Sequence, residues 1–71
     1  MSMNIRALPG TRVRFSGKNG TDGDQEHAQK HLSINGIYTV KRTQIHGFHT
    51  DVWLVEFPEE KFNSVLFEEA L

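Results

Sequence analysis

Ile37-Tyr38-Thr39-Val40-Lys41-Arg42-Thr43-Gln44-Ile45, then a turn around Gly47, then Asp51-Val52-Trp53-Leu54-Val55-Glu56-Phe57 is the stretch that decides the fold. Ile37, Thr39, Val40, Thr43 and Ile45 are β-branched, the residue type that packs best on a pleated surface. The second segment is apolar on both faces, with Val52 and Leu54 on one side and Trp53, Val55 and Phe57 on the other. Upstream, Thr11 to Phe15 alternates, Val13 and Phe15 against Arg12 and Arg14, the period of a half-buried strand. Downstream, Phe62 to Phe67 is a last short apolar segment. Turn signals fall at Pro9-Gly10, Gly17 to Gly23, Asn35-Gly36, around Gly47 and at Pro58 to Lys61. Short strands separated by such turns predict a small sandwich or barrel.

One segment departs from this pattern. Asp24 to Leu32 has no β-branched residue and is rich in helix formers, and it predicts a short helix in the long first loop. Asp22 or Asp24 is expected to cap it, and Ala28 and Leu32, four apart, to form its buried stripe.

Length and composition narrow the function. Seventy-one residues make one domain, 1–71, whose core must be small, because such a chain buries only about 60% of its unfolded surface. Cysteine is absent, which removes disulfides, thiolate nucleophiles and thiolate metal sites. A hydrophobic content of 37% with 24% charged residues is that of a soluble domain rather than a disordered one. No apolar run approaches the roughly 20 residues of a membrane-spanning helix, and Met1 to Pro9 holds no apolar stretch of signal-peptide length. A cytoplasmic protein with no membrane contact is the expectation.

Charge is unevenly spread. Residues 1–21 carry four bases and no acid, residues 22–50 balance three with three, and residues 51–71 set six acids against Lys61. The expected explanation is that the first and last segments are neighbours and pair, rather than that the molecule is functionally dipolar. The net charge of −1 disfavours a dedicated nucleic-acid binder, whose affinity comes from neutralising phosphates.

The order of strand, long excursion and three strands in succession resembles an SH3-like barrel. Pro9-Gly10-Thr11-Arg12-Val13-Arg14-Phe15 reads like its opening strand and Asn35-Gly36-Ile37-Tyr38-Thr39-Val40 like the start of its second. GIYTV at 36–40, DVWLVEFP at 51–58 and above all KFNSVLFEE at 61–69 are similar to a group of small phage- and prophage-encoded proteins of uncharacterised function. The resemblance covers nearly the whole chain. It implies an all-β fold with one short helix, a five-stranded SH3-like barrel with the helix inserted in the first loop, and no particular activity. In such a barrel the first and last strands meet, which would set Arg12 and Arg14 near Glu68 and Glu69. The expected core is Val13, Phe15, Tyr38, Val40, Val52, Leu54, Phe62, Val65 and Phe67, with Leu32 over one end.

Function is expected in the hairpin from Lys41 to Phe57. If Val52 and Leu54 face inward, Trp53, Val55 and Phe57 form an outward strip; a one-residue slip would bury Trp53 instead. A tight barrel interior accepts Val and Leu more easily than indole, which favours the outward Trp53. Phe48, Trp53, Val55, His46 and His49 are therefore the candidate contacts for a protein partner, host or phage. The expectation is a non-enzymatic protein-binding module, monomeric or weakly self-associating; the phage resemblance implies a host protein as its partner, with inhibition as one consequence of binding. The alternative is a nucleic-acid-binding face built from Lys41 and Arg42 beside the aromatics, opposed by the acidic C-terminal segment. His27 and His31, and His46 and His49 with Asp51, have ligand-like spacing, but spacing is weak evidence and matches no known motif. The expectation is surface histidines, no metal, no cofactor and no catalytic residue. The glycine-rich 17–23 loop lacks the lysine placement of a phosphate-binding loop and is read as a flexible turn.

Overall fold

The computed structural model describes residues 3–70; Met1, Ser2 and Leu71 of the expected domain lie outside the described residues. In chain order the elements are β1 (Arg12–Phe15), α1 (Asp22–Gln29), β2 (Ile37–Ile45), β3 (Thr50–Leu54), β4 (Phe57–Asn63), a 3-10 turn (Ser64–Leu66) and β5 (Phe67–Glu69). The strands form one antiparallel sheet in the order β4-β3-β2-β1-β5. This is the mainly β fold with one short helix that the sequence predicts.

β2 is the spine of the sheet. Its first residues, Ile37 to Thr39, pair with β1, and Val40 to Ile45 pair with β3. The register shifts between Val40 and Arg42, so Lys41 sits at a bulge. A bulge bends its strand and sharpens the twist. Side chains from all five strands accordingly reach a single core: Val13, Phe15, Val40, Val52, Leu54, Phe62, Leu66 and Phe67, with Ala28 and Leu32 from the helical segment and Met3. β1 pairs with β5, setting Arg14 opposite Glu68 and Val13 opposite Glu69. Arg14 forms an ion pair with Glu68, so part of the uneven charge is neutralised across strands as expected. An exposed pair of this kind is worth about 0.2–1 kcal/mol and helps fix register.

The helix begins two residues earlier than predicted and ends at Gln29 rather than Leu32. Thr21, not an aspartate, is its cap. The Thr21 hydroxyl accepts from the Asp24 N–H (3.2 Å), and the Asp24 carboxylate accepts from the Thr21 N–H (3.1 Å). This reciprocal box satisfies two otherwise orphaned donors. Ala28 and Leu32 are both buried, as the four-residue spacing implies. Thr21→Ala is expected to lower stability by about 0.5–2 kcal/mol, read as a lower urea midpoint with an unchanged slope.

Three sequence expectations are corrected. The strand expected over Asp51–Phe57 stops at Leu54; the chain reverses at Val55-Glu56, and Phe57 opens β4. This turn carries no Gly, Asn or Pro. It is held instead by the Glu56 carboxylate accepting from the Thr39 N–H (3.0 and 3.2 Å) and by the Val55 N–H donating to the Thr39 carbonyl (2.8 Å). The turn expected at Pro58–Lys61 lies within β4. Trp53 pairs with Lys61 while Leu54 pairs with Phe57, so Pro58 to Glu60 bulge out of an edge strand, where a missing N–H costs no ladder bond. Phe57 thereby turns to the Leu54 side and packs against the core, not beside Trp53. Finally, Val65 and Tyr38 are only half-buried, while Leu66 and Met3 are core residues. The Asn63 side chain caps the 3-10 turn, and that turn directs Leu66 rather than Val65 into the core. Tyr38 lies at the core margin with its hydroxyl accepting from the Ser33 N–H (2.8 Å).

Candidate functional site

The β2–β3 hairpin ends in the loop His46-Gly47-Phe48-His49, closed by the His46 N–H donating to the His49 carbonyl (2.8 Å). Phe48 is at its tip and is fully solvated, at 104% relative exposure. Behind it the His46 and His49 rings stack, with centroids 4.7 Å apart and planes 25° from parallel. Both point Nε2 at the Asp51 carboxylate, His46 at 3.0 Å from Oδ2 and His49 at 3.5 Å from Oδ1. Lys61 Nζ approaches the same carboxylate at 3.9 Å. Asp51 lies on the outer face of β3, since Val52 beside it faces the core, yet its side chain is only 10% exposed. The two imidazoles and Lys61 cover it. Buried carboxylates are costly unless paired and hydrogen-bonded, and the hairpin supplies those partners locally.

Trp53 is on the same outer face, two residues along. Val52 and Leu54 are fully buried, so the strand adopts the register that turns Trp53 outward. The indole is half-buried rather than free, because the Arg42 guanidinium, its cross-strand partner, lies 3.9 Å from the ring centroid. Such a stack is worth about 0.5–1 kcal/mol at an exposed site. Arg42 is thus engaged with Trp53, while Lys41 is exposed at the bulge. Val55 is exposed in the opposite turn. It is seven residues from Phe48, about 20 Å along the strand direction, so the hairpin presents Phe48 and Val55 at its two ends and not as one strip.

Beside Trp53 runs an open groove of about 710 Å³ between the outer face of β3, the edge strand β4 and α1. Asp24, Asp51, Glu59 and Glu60 line it with Lys61 and the imidazoles of His27 and His49. The sequence reading does not find this groove, because its walls come from three segments joined by sheet register and by the docking of α1 on β4. α1 is held on β4 by the Asn63 side-chain amide donating to Asp24 (3.2 Å) and by the contact of His27 Nε2 with the Lys61 carbonyl (3.2 Å). His27 packs on Phe62 and His31 on Phe57, with ring centroids 5.2 and 5.5 Å apart. The helical spacing of these histidines does bring them together, with Glu60 as a third neighbour.

A family model described as bacteriophage T4 protein Y07B matches residues 12–70. The chain belongs to this phage protein family. The Y07B match starts at the first residue of β1 and ends just beyond β5, so every element, the hairpin loop and the groove lie within it. Phage membership agrees with the resemblance carried by DVWLVEFP and KFNSVLFEE. No curated protein and no solved structure matches the chain. Among the described residues, no helix is long and apolar enough to cross a membrane.

Proposed function

We propose that this Y07B-family protein is a non-enzymatic SH3-like barrel of phage origin that docks onto a host protein in the host cytoplasm and inhibits it. The order of strand, helix-bearing excursion, three successive strands and a last strand against the first supports the barrel reading. The observation that carries the docking reading is Phe48, a fully solvated phenylalanine at the tip of a closed hairpin. Burying such a ring in a partner pocket would gain roughly 1.5–3 kcal/mol, and the hydrogen-bonded loop beneath it lowers the ordering cost of binding. His46 and His49 frame the tip and Trp53 extends the surface along β3, while Val55 offers a separate contact at the opposite turn. The carboxylates of the groove favour a partner segment rich in lysine or arginine.

The nucleic-acid reading has one observation in its favour, the flat platform made by Arg42 on Trp53 next to Lys41. The four groove carboxylates beside it repel phosphate. Capture from host lysate with wild-type and Phe48→Ala protein, each with and without nuclease, tests the docking reading. A protein retained after nuclease by wild type, near equal stoichiometry, and lost with Phe48→Ala is the expected result. A signal removed by nuclease and by Lys41→Ala with Arg42→Ala would transfer the function to nucleic acid.

A further inference from the structure

We propose that His46, His49 and Asp51 form a binding site for a divalent d-block cation of the zinc type, a site that shares the hairpin with the docking reading but rests on different observations, and one that histidine spacing alone does not justify. Two neutral imidazoles and a carboxylate are the donor set such ions prefer. The three ligand atoms lie within 4.8 Å of one another. A tetrahedral ion with bonds of about 2.0–2.1 Å sets its ligands about 3.3 Å apart. The two imidazole nitrogens lie 3.0 and 3.5 Å from the Asp51 carboxylate, one on each of its oxygens, so small side-chain shifts bring the donors to that spacing.

The ligands are also positioned before any ion arrives. Asp51 is nine-tenths buried and lies between Gln44 and Asn63 in the sheet. The imidazoles are stacked on a loop closed by its own backbone bond. Both rings converge through Nε2, and an ion would replace the Nε2–H contacts to Asp51: each neutral ring carries its hydrogen on Nδ1 instead, freeing the Nε2 lone pair for the metal. His46 and His49 are solvent-exposed, which gives an ion access and leaves its remaining coordination position open to water. Lys61 is the one basic side chain against the carboxylate, and at 66% exposure its long stem has room to swing away.

The second cluster, His27, His31 and Glu60, serves as an internal comparison. There the rings cover Phe62 and Phe57, and His27 Nε2 already meets the Lys61 carbonyl. Those contacts give the rings a packing role along the edge strand and direct the proposal to the hairpin instead.

The test is titration of chelator-treated full-length protein with ZnCl2, followed by calorimetry and by the histidine ring resonances in NMR spectra. One ion per chain is expected, with the rings of His46 and His49 shifting most. His46→Gln and His49→Gln should each weaken binding at least about tenfold, and His27→Gln should leave it unchanged. Lys61→Gln should tighten binding about 1.5- to 5-fold, the size of one exposed charge interaction removed. Since the two loop histidines are exposed, their variants keep the fold, which a dispersed amide spectrum verifies; Asp51→Asn is the supporting variant. Binding unaffected by both loop substitutions, binding abolished by His27→Gln, or no binding at millimolar Zn2+ would each overturn the proposal.

Discussion

Phe67→Ala is expected to remove a large share of the protein's stability. Phe67 is fully buried and sits where β5 closes onto β1, with its ring centroid 5.9 Å from that of Phe15 and 6.2 Å from that of Phe62. Its backbone carbonyl also accepts from the Met3 N–H (2.9 Å), which ties the N-terminal segment to the same strand. Truncating a buried phenylalanine costs about 3–5 kcal/mol, through lost transfer energy and the cavity left behind. A chain of 71 residues has about 4–11 kcal/mol in total to lose. The expected readout is a urea midpoint lowered by at least about a quarter, with loss of amide dispersion if the wild-type stability lies at the low end of that range. A variant within 1 kcal/mol of wild type would mean that β5 does not complete the core. Phe15→Ala, acting on the same contact, should add less than its own full cost to a Phe67→Ala background.

Phe48→Ala is expected to do the reverse, leaving stability unchanged within about 0.5 kcal/mol while removing partner binding. The ring touches solvent on all sides, so folding has nothing to lose from its removal. An anchor aromatic at an interface is commonly worth about 2 kcal/mol or more, which is about a thirtyfold loss of affinity. Trp53→Ala should behave differently, because its indole is half-buried under Arg42. It is expected to weaken both folding and binding, so a reduced capture by this variant must be corrected for the folded fraction. Equal capture by wild type and Phe48→Ala, with both folded, would remove the hairpin tip from the interface and leave the acidic groove as the remaining docking surface.

The outcome for individual residues shows where sequence reasoning works. Val13 and Phe15 are core residues because their alternation with two arginines leaves one orientation that keeps both charges in water. β2 runs from Ile37 to Ile45 as the β-branched run predicts. The outward Trp53 follows from the same steric logic, and the Arg14–Glu68 pair from the meeting of first and last strands. The failures share one cause. Pro58 and Val55-Glu56 exchanged roles because turn chemistry was read as local, whereas the reversal is held by a contact between Glu56 and Thr39 on another strand. Val65 gave way to Leu66 because the capped 3-10 turn over Ser64–Leu66 sets its own side-chain directions before Phe67 re-enters the core.

Periodicity, β-branching and the helix-forming run therefore determined the strands, the short helix, the faces of β1 and β3 and a core built on Val13, Phe15, Val40, Val52, Leu54, Phe62 and Phe67. These are properties of side chains a few residues apart, and steric exclusion and solvation act on them directly. Only the tertiary structure decided that Asp51 is buried beneath two stacked imidazoles, that Arg42 covers Trp53, and that Asp24, Glu59 and Glu60 share a groove with it. Those neighbours are set by sheet register and by the bulges at Lys41 and Pro58–Glu60, which sum the packing of the whole core before any one pair of residues meets.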